Sequence, residues 1–286
     1  MKKTKSIPQM YLFGLFAAIL LSFVLCTSVH AANPTKVKLK SSASGKTYTA
    51  YDVTGDGKPD TIFVRKKNIS GRGNLYVKIN NKVVLNKYLH KLESQDDFYV
   101  TIYTLKNGKP FIRFTSRMME YVNWFDSLCQ YRSGKLKTIV NFIHPIFKTC
   151  IVRQCDVSVK GNSLRCIFRW NGSTVGRGSF YFTYTYKNGT LVRTSNATSD
   201  LEFGAVDPES YNPCDYLVCK KTFPVYKDTN KQVKFYVPKG AKVYLTKVYF
   251  TAKHGVWYQI KYGSKKGWVK EQGPGILFCN VEYAPA

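Results

Sequence analysis

Leu75-Tyr76-Val77-Lys78-Ile79-Asn80-Asn81-Lys82-Val83-Val84-Leu85 holds the pattern that decides the fold. Apolar and polar residues alternate before the Asn80-Asn81 pair, with the period of a half-buried strand rather than a helix. Asparagine tolerates the positive φ that a tight hairpin turn demands. The stretch therefore predicts two antiparallel strands joined by a short turn.

The same design recurs on both sides. Turn pairs fall at Asp56-Gly57, Asn80-Asn81, Asn107-Gly108, Ser133-Gly134, Gly161-Asn162 and Asn188-Gly189, spaced 24, 27, 26, 28 and 27 residues apart. Val100-Thr101-Ile102-Tyr103-Thr104-Leu105 and Phe111-Ile112-Arg113-Phe114 flank the third, and the run Phe180 to Tyr186 leads into the last. Lys106-Asn107-Gly108-Lys109, Ser133-Gly134-Lys135-Leu136 and Lys187-Asn188-Gly189-Thr190 share one text. Such self-similarity is a degenerate internal repeat. Twelve strands would fill only three four-stranded blades, fewer than the roughly four to eight of a closed propeller. The expectation is an all-β, repeated-hairpin antiparallel domain over residues 32–205, a meander or sandwich with propeller-like blades as the alternative. Phe203 to Cys214, rich in Pro, Gly and acids, marks a boundary, with 206–215 as linker and 216–286 as a second domain.

Residues 1–31 carry the pattern of a secretory leader: Lys2, Lys3 and Lys5, an apolar run from Tyr11 to Leu25, and Val29-His30-Ala31 before cleavage. The apolar run is short for a bilayer span. The chain has 44 basic and 17 acidic residues, a net +27, and loss of the three leader lysines leaves +24. This charge favours polyanions such as wall teichoic acids or anionic lipid surfaces. No arginine-rich tract or nucleic-acid motif occurs. Seven cysteines remain after the leader, an odd number that leaves at least one thiol unpaired. Disulfides suit an exported chain, with Cys219 and Cys279 as a pair across the second domain and Cys214 as the competing partner. The Cys-x4-Cys spacings at 150/155 and 214/219 keep zinc open as the rival.

Tyr51-Asp52-Val53-Thr54-Gly55-Asp56-Gly57-Lys58-Pro59-Asp60 concentrates three acids within nine positions. Alternate residues of such a curved loop turn inward and offer hard oxygens to a divalent cation. Asp52, Asp56 and Asp60 would give carboxylates, Thr54 a hydroxyl or water contact, and Lys58 its carbonyl. Phe63 stands where an EF-hand needs glutamate, so the loop is not an EF-hand. The alternative is an Asp-Gly turn with solvated acids. The loop resembles the calcium loop of FG-GAP/VCBS repeats, which implies calcium as a structural cofactor on the same five residues; Thr54 replaces the family's usual Asp or Asn. The surrounding text, over roughly residues 40–200, resembles secreted β-repeat proteins of Gram-positive anaerobes.

The second domain reads as five short strands of a small barrel. Val225-Tyr226, Pro238-Lys239-Gly240-Ala241-Lys242-Val243, Gly255-Val256-Trp257-Tyr258-Gln259-Ile260 and Gly267-Trp268-Val269 resemble the bacterial SH3-like (SH3b) family. The resemblance implies peptidoglycan or peptide binding, or targeting beside a wall enzyme. Tyr226, Tyr244, Tyr249, Tyr258 and Tyr262 are the candidate ligand-binding residues, since tyrosine pairs an aromatic face with a polar tip. Trp257 and Trp268 read as core.

No His-Glu-x-x-His or Gly-x-Ser-x-Gly motif occurs. His90, His144 and His254 have no evident nucleophile beside them, and Glu93, Asp96 and Asp97 read as a solvated turn. The reading is an exported, non-catalytic wall- or surface-binding protein, localised outside the cell. A wall-targeted hydrolase with an unrecognised site and a host-directed adhesin are the alternatives.

Overall fold

The computed structural model describes residues 35–69, 72–89, 97–117, 123–143, 152–251 and 253–282. The leader at 1–31 and the residues Cys150, His90, His144, Glu93 and Asp96 lie outside this set. Among the described residues there are 21 strands and no helix.

All six turn pairs sit between paired strands. The first two hairpins form one four-stranded meander: β2 (Lys46–Tyr51), β3 (Asp60–Ile69), β4 (Arg72–Ile79) and β5 (Lys82–Leu89). The next two form a second: β6 (Asp97–Thr104), β7 (Pro110–Arg117), β8 (Asn123–Arg132) and β9 (Lys135–Asn141), with β1 (Thr35–Lys40) added beside β6. The last two form a third: β10 (Val152–Lys160), β11 (Ser163–Ser173), β12 (Gly176–Lys187) and β13 (Thr190–Arg193). The 26-residue period is thus half of the real unit, which is one sheet. Asn80 and Asn81 adopt φ of 47° and 66°, the left-handed pair a two-residue hairpin requires.

The middle sheet is covered on both faces. Along β6 and β7, Phe98, Val100, Ile102, Ile112 and Phe114 join the core shared with the first sheet. Tyr103 and Phe111 join the core shared with the third. This parity follows from the two-residue period of a strand. One charged pair is enclosed on the third-sheet side. Arg113 Nε and Nη2 donate to the two Asp126 oxygens at 2.7 and 2.6 Å, and Nη2 also donates to the Cys155 carbonyl at 2.7 Å. Burial is the largest influence and opposes the charge on Arg113, but Asp126 together with Tyr103 and Cys155 raises the guanidinium pKa. The guanidinium therefore stays charged and ties the middle sheet to β10.

The turn-bearing ends of the three sheets also meet. Lys106 N donates to the Gly161 carbonyl at 3.0 Å, and Asn107 N to Asn162 Oδ1 at 2.9 Å. Gln130 Nε2 donates to the Gly189 carbonyl at 3.0 Å.

The C-terminal sheet holds β17 (Phe223–Tyr226), β18 (Val233–Val237), β19 (Lys242–Thr251), β20 (Gly255–Tyr262) and β21 (Lys265–Lys270). Two short segments, β14 (Ala197–Thr198) and β16 (Leu217–Val218), pair with the edge of β19 that faces away from β20. That edge would have to meet β18 to close a barrel. The expected barrel is therefore an open sheet, ordered β14-β19-β20-β21-β17-β18. The Gly267-Trp268-Val269 text has a steric cause: a Cβ on Gly267 would stand 2.5 Å from Val225 and 2.8 Å from the Tyr226 carbonyl.

The two halves share one core across the 206–215 segment. Phe250 of β19 contacts Phe168, Phe180 and Phe182, with centroids 5.6, 6.0 and 5.1 Å apart. β15 (Leu201–Phe203) pairs with β12, and Ala205 bridges to Val281. Glu271 is buried in the junction. It accepts from Thr174 N and Oγ1, Gly273 N and the Tyr258 hydroxyl.

Arg113→Ala strands Asp126 in the interior and is expected to cost about 3–5 kcal/mol in urea unfolding. Arg113→Met combined with Asp126→Leu should cost clearly less; equal losses would contradict the pairing. Burial raises the Glu271 pKa, against donors that favour the charge. A value raised on folding gives stability that is complete below the unfolded pKa and lost as pH rises through the folded one. Glu271→Gln cannot ionise, so it should flatten the fall of melting temperature with pH above the usual glutamate range. An unchanged slope would refute this.

Candidate functional site

The acidic loop between β2 and β3 is held by its own amides. Asp60 is buried; its Oδ2 accepts from Val53 N at 2.6 Å and Thr54 N at 2.9 Å. Its Oδ1 accepts from Asn80 Nδ2 at 2.5 Å, linking this loop to the next turn. Asp52 accepts from Gly55 N at 2.6 Å and Gly57 N at 2.8 Å, while Asp56 accepts from Lys58 N at 2.8 Å. Thr54 Oγ1 lies 3.5 Å from Asp52 Oδ1 and 3.3 Å from Asp60 Oδ1. Three of the five expected ligand residues thus bring hard oxygens together, a donor set of the right chemistry for calcium. Asp56 is exposed and turned onto Lys58 N. No group of three His, Cys, Asp or Glu side chains converges among the described residues.

The five candidate tyrosines divide. Tyr226 and Tyr249 come together on the outer face of the C-terminal sheet, around Trp257 and Trp268. Tyr226 meets Trp257 edge-on at 5.9 Å, and Tyr249 meets Trp268 at 6.0 Å. Trp257 is core, as its text implied, and its Nε1 donates to the His254 carbonyl at 2.7 Å. Trp268 is half-exposed rather than core, since it lies opposite Tyr226 on the outer face. Tyr258 corrects the expected set. It is fully buried, and its hydroxyl is engaged by Glu271, so it presents nothing to a ligand. Tyr244 is exposed, and Tyr262 packs against the core; neither has a ring contact with the Tyr226–Trp268 cluster. Lys247 and Lys270 pair across from Gln259 and Trp257, which places two cations beside the rings.

Sequence reasoning missed a groove where the turns of the three sheets meet. Thr54 and Gly55 come from the first sheet, Lys109 and the run Gln130 to Ser133 from the second, Tyr186 and Gly189 from the third. Its volume is about 320 Å³. The text Gln130-Tyr131-Arg132-Ser133, amide, aromatic and base before a turn, was the signal available in the sequence.

Most carboxylates are engaged within the protein. Asp126, Asp60 and Glu271 are buried, and Asp200 and Asp156 pair with Arg165 and Arg169 at 2.6 and 3.2 Å. Cys129, Cys155, Cys166, Cys214, Cys219 and Cys279 are free thiols. The expected 219–279 clamp is not formed, although Cys279 lies near enough to Cys219 to help raise its thiol pKa. Burial pushes the Cys166 and Cys219 thiols up to about 12, which leaves them poor nucleophiles and poor metal ligands. Among the described residues no helix is long and apolar enough to cross a membrane. No protein-family model, curated protein or solved structure matches the chain.

Asp60→Ala would leave the Val53 and Thr54 amides and the Asn80 side chain without their acceptor. It is expected to lower unfolding stability by about 1–3 kcal/mol in chelator. Asp56→Ala, on the exposed side of the loop, should leave chelator-measured stability nearly unchanged. A loss as large as that of Asp60→Ala would contradict the geometry.

Proposed function

We infer that the protein is a non-catalytic binder of the bacterial cell wall, exported by its leader. The observation that carries this reading is the outer face of the C-terminal sheet, where half-exposed Tyr226, Tyr249 and Trp268 surround buried Trp257 with Lys247 and Lys270 beside them. Aromatic rings cover sugar and peptide faces well, and the tyrosine hydroxyls add polar contacts. The resemblance of this segment to SH3-like modules favours peptidoglycan as the partner. The +24 charge expected of the mature chain adds attraction to anionic wall polymers. The three hairpin-repeat sheets serve as scaffold, braced by calcium at Asp52, Thr54 and Asp60 with Asp56 and the Lys58 carbonyl drawn in on binding.

Co-sedimentation of the full mature chain with Gram-positive wall tests the reading, with wall intact and stripped of teichoic acids. The chain should pellet with stripped wall, and Trp268→Ala should weaken that retention about tenfold. Retention by intact wall alone, released by salt, would replace aromatic recognition with polyanion attraction. Failure to pellet with either would overturn it. For calcium, saturation at a hundred times Kd should add about 2.7 kcal/mol of stability, lost in Asp56→Ala. Identical melting with calcium and with chelator would remove the ion.

A further inference from the structure

The outer face of the C-terminal sheet carries a charge that its rings do not explain. From Thr229 to Lys270 the chain has ten lysines and neither an acid nor an arginine. Strand pairing sets several of these lysines into rows across the face. In one row Lys261 stands between Tyr244 and Lys266. In the next, Gln259 stands between Lys247 and Trp268, and in the third Lys270 stands beside Trp257. Lys261 and Lys266 are thus directly opposed, a position in which like charges repel. Lys234 Nζ donates to the Lys266 carbonyl at 2.9 Å and brings a third ammonium to the same corner. All three lysines are exposed, and none is in an ion pair among the described residues.

The arrangement narrows the partner that would relieve this repulsion. Several ammonium groups held together call for an anion with several charges. Lysine is a point charge without the planar fork of arginine, so it meets separate phosphates rather than reading the edges of bases. A lysine interrupts the rings in each row, which leaves no continuous apolar patch for acyl chains to cover. Along β21, Lys266 and Lys270 flank Trp268 on one face, with about 13 Å between the two lysine positions. Cation, ring and cation along a strand match a flexible chain in which charges recur between short polyol segments.

We propose that the lysine rows of this face bind a phosphodiester polymer of the poly(glycerol phosphate) kind, with phosphates on the Lys234, Lys261 and Lys266 corner and on Lys270, and a polyol segment across Trp268. The proposal rests on the wall-binding reading and deepens it, because it gives the anionic wall polymer a defined place instead of a diffuse attraction.

Calorimetric titration of the full mature chain with isolated poly(glycerol phosphate) at low salt tests it. Lys261→Gln combined with Lys266→Gln should weaken binding about tenfold, the product of two exposed charge contacts, and make its salt dependence shallower. Lys67→Gln combined with Lys82→Gln removes the same charge from the first sheet and should leave affinity within about twofold. The Lys261 and Lys266 variant should melt no lower than the parent at low salt, since it removes a repulsion; a clear drop would contradict the site. No binding, or equal losses in the two double variants, would overturn it. Equal affinity for a thymidine oligonucleotide of matched charge would overturn it in favour of nucleic acid. Tighter binding to vesicles of phosphatidylglycerol and phosphatidylcholine would overturn it in favour of a lipid surface. Retention by wall stripped of teichoic acids should not change in the Lys261 and Lys266 variant. Polymer binding without that retention would keep the lysine site and remove aromatic recognition of peptidoglycan. Retention by stripped wall without polymer binding would do the reverse.

Discussion

Arg113 extends from the middle sheet, grips Asp126 with two parallel hydrogen bonds, and spends a third on the Cys155 carbonyl of the next sheet. The contact is possible only because the middle sheet has two buried faces, and it makes that burial specific. An apolar layer between two others could slide by a strand or turn over with little loss of area. A bidentate pair that also needs one particular carbonyl cannot. The cost of enclosing two charges is offset only in one register, so the pair favours uniqueness more than raw stability. The turn-to-turn contacts at Gly161 and Gly189 obey the same register.

How much of this was legible differs by the range of the interaction. The hairpins were readable because asparagine and glycine encode their turns locally, and each of the six pairs is a turn. The grouping of hairpins in twos was not, because consecutive strands look alike whether they continue a sheet or begin another. The open C-terminal sheet was hidden for a related reason. The edge of β19 is taken by β14 and β16, segments two residues long with no pattern of their own. Tyr258 was assigned to the wrong side because Val256-Trp257-Tyr258-Gln259-Ile260 puts large aromatic residues on both faces, and Trp268 because Gly267-Trp268-Val269 does not mark which face is inner. Period-two reading then has no contrast to work with. The acidic loop was legible as a loop, and the inward turn of Asp52, Thr54 and Asp60 agrees with its spacing; the outward Asp56 does not.

The charge of the protein gains meaning from where its acids are. Composition records an excess of bases, but many of the acids serve as internal fasteners: Asp60 on loop amides, Asp126 on Arg113, Glu271 at the junction of the two halves. Lysine, by contrast, lies over ring faces, as Lys38 over Tyr99 and Lys242 over Tyr216. In both pairs the ammonium itself sits over the ring, 3.2 and 4.2 Å from the centroid.

The stacked turns have a consequence for how such a chain can change over generations. Each sheet presents its tight turns at a shared end, and residues there are joined by hydrogen bonds to the backbone of the facing turns. Loop closure depends only weakly on added length, so residues inserted beside these turns would reshape the groove while the layers beneath keep their packing. Recognition and architecture are thereby separated along one axis of the molecule. Lineages descended from such a chain could acquire different ligands at one end and still inherit the same interior.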